Sequence, residues 1–198
     1  LGLNIIRYNI GGGDDPTHHH ITRTDSMVPG YAINPSHDAN GYHWSYDWNA
    51  DQNQRNVLMK VAECYGKDLI VEGFSNSPPY FMTNSGCSSG SVNAGENNLR
   101  EDAYGAFASY LADVAQHFSK EWGIHFQSMT AMNEPDTEYW HALSDKQEGC
   151  HFDPGESQSV MIIALREALD ERGLNDILIS GTDETGIDCQ INSINSLS

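Results

Sequence analysis

Positive charge is scarce in this sequence. Only 10 Lys and Arg residues stand against 28 Asp and Glu in 198 residues, a formal net charge of −18 at pH 7, and no Lys/Arg cluster occurs. Nucleic acid is therefore a poor partner, because its binding relies on cations that neutralise phosphates. An anionic membrane surface is disfavoured for the same reason. Long apolar runs are also missing, and none approaches the ~20 residues of a transmembrane helix, so no membrane partner is expected. The four cysteines, Cys64, Cys87, Cys150 and Cys189, show no CxxC or Cys/His spacing of the zinc type. Asn-x-Ser/Thr acceptors with x other than Pro are absent, so the sequence carries no glycosylation signal for secretion. It opens on Leu1-Gly2-Leu3 without Met or a charged, cleavable leader, and the natural N-terminus is expected to lie upstream.

What is present is a globular composition, 38% hydrophobic with four Trp, nine Tyr and six Phe, which can build a core. Leu3 to Asn9 reads as a buried strand ending at Gly11-Gly12-Gly13. A polar stretch with His18-His19-His20, Pro29 and Pro35 follows. A helix is expected from about Asp51, with Val57, Leu58, Val61, Ala62 and Tyr65 on one face and Gly66 at its end. Asp68 to Phe74 is a second strand, followed by a Ser/Asn/Gly/Pro-rich loop to about Asn98. Tyr104, Phe107, Ala108, Leu111, Ala115, Phe118 and Trp122 then mark a helix closing at Gly123. Phe126 to Met132, a loop to Pro154, a helix to Arg172 and the strand Ile177 to Ser180 complete a β-α-β-α-β-α-β order.

Alternating strands and helices imply a parallel sheet with crossover connections. Helix-to-strand links are about two to five residues and strand-to-helix links roughly twenty to forty, long against the usual range. Elaborate loops on one side are the anatomy of a (β/α)8 barrel with its site at the strand C-terminal ends, although a doubly wound open sheet also places its site there.

Chemistry concentrates at Ala131-Met132-Asn133-Glu134-Pro135, at the end of the third of these strands. A carboxylic acid at such a tip faces the pocket, Asn133 can hydrogen-bond a sugar hydroxyl, and Pro135 cannot continue the strand. The bland alternative is a Glu that caps the next turn. His18 to His20 with Asp14 and Asp15 invite a metal reading, but adjacent histidines in an extended loop cannot all converge on one ion, and no metal or other cofactor is expected. The triple glycine lacks a GxGxxG or Gly-Lys-Ser/Thr continuation, which removes a phosphate loop.

The run Gly2 to Gly12, then Ser75-Asn76-Ser77-Pro78-Pro79-Tyr80-Phe81-Met82-Thr83 with Gly86-Cys87-Ser88, then Asn133-Glu134-Pro135 and Gln147-Glu148-Gly149-Cys150-His151-Phe152, resembles glycoside hydrolase family thirty. Within it the likeness is to the endo-β-1,6-galactanase branch, from Leu1 to about Thr185. The resemblance implies a (β/α)8 TIM barrel of α/β class. Residues 1–198 would then cover about four β/α units, strands two to five of a partial catalytic domain, with the rest of the barrel and a β-sandwich side domain outside this sequence. It implies a secreted, retaining, endo-acting hydrolase of β-1,6-linked galactan in plant-type polysaccharide, with an endo-β-1,6-glucanase, a related exo-glycosidase or a non-catalytic carbohydrate-binding barrel as alternatives. The partner is then a neutral polysaccharide or oligosaccharide, which suits an acidic chain better than a uronate-bearing xylan.

By the same resemblance Glu134 is the general acid/base, and the nucleophile is expected beyond Ser198. Arg7 would orient the nucleophile, or else form an ion pair that closes the barrel. Glu72, Asp183 and Glu184 are expected as substrate contacts or loop caps rather than as the nucleophile. Tyr80, Tyr139 and Trp140 would stack on a pyranose, with core packing as the competing role, and Phe81 stands equally between the two. Asn76 and Ser77 would bond hydroxyls or merely shape a turn. If a disulfide forms, Cys87 with Cys150 is expected, since both flank the family-like loop motifs; free thiols are the alternative.

Overall fold

The computed structural model describes residues 2–17, 27–144 and 147–197, so the triple histidine lies outside the described residues. Four parallel strands form one sheet in the order β1 (Ile5–Asn9), β4 (Ile70–Phe74), β5 (Ser128–Thr130), β6 (Leu178–Ile179). Arg7 pairs in register with Glu72, Glu72 with Ser128, and Ser128 with Leu178. Between them run α1 (Gln52–Tyr65), α2 (Tyr104–Glu121) and α3 (Glu156–Glu171). This is the expected alternation, with each strand shorter than its apolar run.

Two elements were not legible. The stretch after the first loop is an antiparallel hairpin, β2 (Ala32–Asp38) and β3 (Gly41–Tyr46), with a register irregularity between Ile33 and Ser36. A final helix, α4 (Ile187–Ser196), follows β6. The hairpin lays Trp48, just past β3, on α2, with its indole stacked on His117 at 3.7 Å, while the Tyr46 hydroxyl donates to Asp113 at 2.6 Å.

The core lies between the sheet and its helices. Along β1, Ile6 and Tyr8 face α2, where Tyr8 meets Phe118 edge-on at 4.8 Å and Phe118 meets Phe126 at 5.0 Å. Tyr8 also donates to the Asp51 carboxylate at 2.6 Å and pairs with the Tyr31 hydroxyl at 2.6 Å, so its one polar atom is satisfied inside the core. Helix α2 buries Phe107, Ala108, Leu111, Ala115 and Phe118, the stripe its spacing predicts. In α1 the apolar face is narrower than expected: Leu58 is buried, but Val57 and Tyr65 are exposed, because the helix flanks only the edge strand. Gly66, with φ +54°, ends α1 in a conformation that a side chain would strain. The opposite sheet face is uncovered, and Ile5, Ile70 and Leu178 are exposed there beside Arg7 and Glu72.

Candidate active site

Every loop leaving a strand C-terminus of the sheet gathers at one end, and Glu134 stands in the one after β5. Its backbone N–H donates to the Asp183 carbonyl at 2.7 Å, bridging to the loop after β6. Its own carbonyl accepts from Thr137 Oγ1 at 2.7 Å and from the Trp140 indole at 3.2 Å. These bonds hold a left-handed backbone, φ +50°, which a non-glycine residue adopts only when its surroundings impose it. The carboxylate Oε2 accepts from the Tyr139 hydroxyl at 2.5 Å. Burial, then that bond to Glu134, pushes the Tyr139 phenol above its ordinary range, so it stays a donor at neutral pH. Asn133 pairs with Asp183 across an isolated bridge and is half-buried beside Glu134.

Arg7 reaches from β1 across the uncovered face. Its Nε donates to Glu72 at 2.8 Å, its Nη2 to Asp183 at 2.6 Å, and the guanidinium lies 4.0 Å over the Phe74 ring. The ion-pair role is therefore realised, and two carboxylates share the fork. Glu72 also accepts from Ser128 at 2.8 Å and Ser180 at 2.7 Å. Burial raises the Glu72 pKa, but Ser180, Ser128 and Arg7 outweigh it, and the carboxyl sits below its usual range. Glu184 instead caps: it accepts from Ser193 at 2.6 Å and from the Asp136 N–H at 3.0 Å, and burial raises its pKa. The sequence placed Glu72 inside a strand and did not foresee this ladder of Arg7, Glu72, Ser128 and Ser180. The signal was present in the period-2 positions that pair across β1, β4 and β5.

Two expectations are corrected. Trp140 does not offer its ring to a sugar: it is 1% exposed, and its ring fills the space over Gly149, where a Cβ would come within 2.0 Å. The Cys87–Cys150 disulfide does not form, and each of the four cysteines is a thiol. Cys87 Sγ lies 3.0 Å from Ser89 Oγ, and Cys150 Sγ 3.6 Å from the His151 carbonyl, so each thiol is buried with a partner of its own.

Tyr80 lines a cavity of about 650 Å³ with Gly12, Gly13, Asp14, Asp15 and Pro29. Burial and the charges of Asp15 and Asp14 raise its phenol pKa. Asn76 is half-buried just past β4, while Ser77 is buried and spends its hydroxyl on the Pro78 carbonyl at 3.0 Å, a turn-shaping role. Phe81 packs against the core. Among the described residues no group of three or more His, Cys, Asp or Glu could hold a metal ion, and no helix is long and apolar enough to cross a membrane.

Comparison with known proteins gives a family model described as "O-Glycosyl hydrolase family 30" that matches residues 1–185. An endo-beta-1,6-galactanase of Hypocrea rufa is 39% identical over 195 residues, covering 93% of this chain and 39% of the relative. An exo-beta-1,6-galactobiohydrolase of Bifidobacterium longum subsp. longum is 27% identical, over 93% of this chain and 16% of its own length. The chain thus spans well under half the length of the curated relatives it matches. Among solved structures, a conserved exported protein from Bacteroides fragilis superposes with a TM-score of 0.76 at 28% identity, over 92% of this chain and 34% of that one. The catalytic domain of GH30 xylanase C from Talaromyces cellulolyticus gives 0.73 at 21% identity, over 99% and 41%, a likeness of fold.

Proposed function

The chain belongs to O-glycosyl hydrolase family 30, an α/β fold of the (β/α)8 type, and from that membership we propose that the whole protein is a secreted, retaining endo-β-1,6-galactanase in which Glu134 is the general acid/base. The observation that carries this reading is the posture of Glu134: a left-handed backbone just past a strand, anchored on both sides, with its carboxyl held by the Tyr139 hydroxyl. The 39% identity to a galactanase supports the sugar and the linkage.

Retaining hydrolysis uses two carboxyls about 5–5.5 Å apart. Glu134 gives its proton to the leaving glycosidic oxygen as the bond to the anomeric carbon breaks, and a second carboxylate attacks that carbon from the opposite face. Water, deprotonated by Glu134, then releases the sugar. We place the second carboxylate in barrel strands outside this sequence, because Glu72 and Asp183 are committed to Arg7. Asn133 would bond a hydroxyl next to the scissile bond, Asn76 another at the mouth of β4, and Tyr80 would face a sugar ring across the cavity beside it. With a net charge of −18, the protein fits a neutral glycan rather than an anionic one.

Reducing-end release by the full-length protein on β-1,6-galactan, β-1,6-glucan and glucuronoxylan tests the reading. Strong release from galactan, as a ladder of oligosaccharides and unaffected by chelator, is expected. Release of disaccharide alone would favour an exo mode, which the resemblance to the exo-beta-1,6-galactobiohydrolase makes the second reading. No release from any of the three by folded protein sinks the galactanase reading.

A further inference from the structure

Glu148 lies far from the catalytic carboxyl in role, yet it is the most completely buried acid among the described residues. It is 0% exposed, it sits in the loop after β5, and it reaches 136 residues back to the loop after β1. Oε1 accepts from the Gly12 N–H at 3.1 Å, and the Gly13 and Val28 backbones lie beside the carboxyl, tied to each other by the Gly13 N–H donating to the Val28 carbonyl at 3.2 Å. Oε2 has no partner among the described residues. Among the described residues no Lys, Arg or His forms an ion pair with it. Among the described residues the titratable groups that face it include Asp51, at the start of α1, and the Tyr110 phenol of α2, and neither brings positive charge. An ionised carboxylate in such a place is costly, and burial pushes its pKa well above the usual carboxylate range.

The backbone around it is packed too tightly for any side chain. A Cβ on Gly12 would lie 2.5 Å from the Pro78 carbonyl oxygen, and one on Gly11 would lie 2.4 Å from that of Val28. The turn is also tied to its neighbours: Tyr80 N–H donates to the Gly12 carbonyl at 3.2 Å, Ser88 Oγ to that of Gly13 at 2.5 Å, and Tyr110 to that of Gly11 at 2.9 Å. Gly12, Gly13, Asp14, Asp15 and Tyr80 then form one wall of the 650 Å³ cavity. On its other side Glu148 is fixed by Gly149, whose N–H donates to the Ser88 carbonyl at 2.9 Å and whose bare Cα lies under Trp140.

We propose that Glu148 is a positioning residue, an uncharged buried carboxyl that clamps the Gly11–Gly13 turn and so shapes the sugar-binding wall. Ionising it releases the wall without disturbing the chemistry at Glu134. This rests on the glycosidase reading for the identity of the ligand, but not for the clamp itself. The three glycines find their reason here: they let three loops close around one carboxyl.

Two measurements on full-length wild type and Glu148→Gln test it. The amide keeps an acceptor for the Gly12 N–H and cannot ionise. In wild type, hydrogen exchange of the peptide spanning residues 9–17, corrected for intrinsic rates, should rise by about fivefold or more toward alkaline pH, while in Glu148→Gln it stays flat. On β-1,6-galactan the wild-type KM should climb about threefold or more over the same interval while kcat follows the same pH profile in both proteins, and the variant's KM should hold constant. Exchange in wild type that stays flat to the alkaline limit of the fold overturns the clamp, even if the variant fails to fold. A variant whose KM and exchange track wild type, or which loses kcat with KM unchanged, overturns it as well. If wild type cleaves no glycan, the galactanase reading fails, and the exchange measurement still decides the clamp.

Discussion

Replacing Gly149 by Ala should damage the protein out of proportion to one methyl group. The backbone of Gly149 is not in the left-handed region, so the effect is purely steric. An added Cβ would stand 2.0 Å from Trp140 Cδ2 and 2.1 Å from Cε3. The indole has no room to yield, since the residue is 1% exposed and its backbone is itself pressed against Gly90, whose Cβ would lie 2.1 Å from the Trp140 carbonyl. Overpacking of this kind costs about 1–3 kcal/mol. Displacing the ring also breaks its 3.2 Å hydrogen bond to the Glu134 carbonyl, about 1 kcal/mol more. The sum is about 2–4 kcal/mol, and it should appear as a lowered Tm. Calorimetry of the full-length protein reads the stability, and kcat should fall as well because Glu134 loses an anchor. Gly105→Ala is the control: nothing lies within 4 Å of its Cβ in α2, so the change should be neutral or stabilise by about 0.4–1 kcal/mol. A Gly149→Ala protein as stable as wild type would refute the packing of Trp140 as described.

Tyr139→Phe removes the donor to the Glu134 carboxylate and should lower kcat about tenfold with little change in KM, as a charge-assisted bond is worth roughly 1.5–3 kcal/mol; steady-state kinetics on galactan check it. Glu72→Gln should flatten the acid side of the stability curve. The folded pKa of Glu72 lies below its unfolded value, so its contribution is present above the unfolded pKa and is lost as pH falls through the folded one. Denaturant titrations of both proteins from neutral to acid pH would show the curves converging, and parallel curves would count against the ladder. Thiol labelling of the native protein should reach exposed Cys64 well before Cys87 and Cys150, since both are buried and burial pushes the Cys150 thiol up to about 12. Reductant should leave Tm unchanged.

The sheet and its helices could be read from the sequence because their signals are local. Periodic stripes such as Phe107, Leu111 and Phe118 bury on folding, and Gly66 stops α1 where it stands. That Glu134 lies just past a strand could be read because the apolar run from Phe126 to Met132 ends beside it. The hairpin escaped because Pro35 interrupts β2, and the period-2 row of Tyr42, Trp44 and Tyr46 in β3 packs on a core far away in sequence, with Tyr46 against Tyr110 and Asp113 of α2. Trp140 was misplaced for the same reason. A loop tryptophan looks available for a sugar until Gly149, with no side chain, is seen to leave the slot it fills. The cysteines misled because nearness to shared motifs says nothing about whether two sulfurs meet. Arg7 meets Glu72 of the adjacent strand β4 and Asp183 of the loop after β6, a pairing set by sheet order and register, which no single segment encodes.

The most direct test of Glu134 separates proton donation from the rest of the site. In the full-length protein, Glu134→Ala should lose about 10²–10⁴-fold on β-1,6-galactan, whose leaving alcohol needs the proton. It should still cleave an aryl β-galactoside whose phenolate departs unaided, with added azide trapping the glycosyl-enzyme as the β-galactosyl azide. That pattern identifies the general acid/base and retention together. Undiminished galactan cleavage by Glu134→Ala, or an α-azide product, would contradict the assignment.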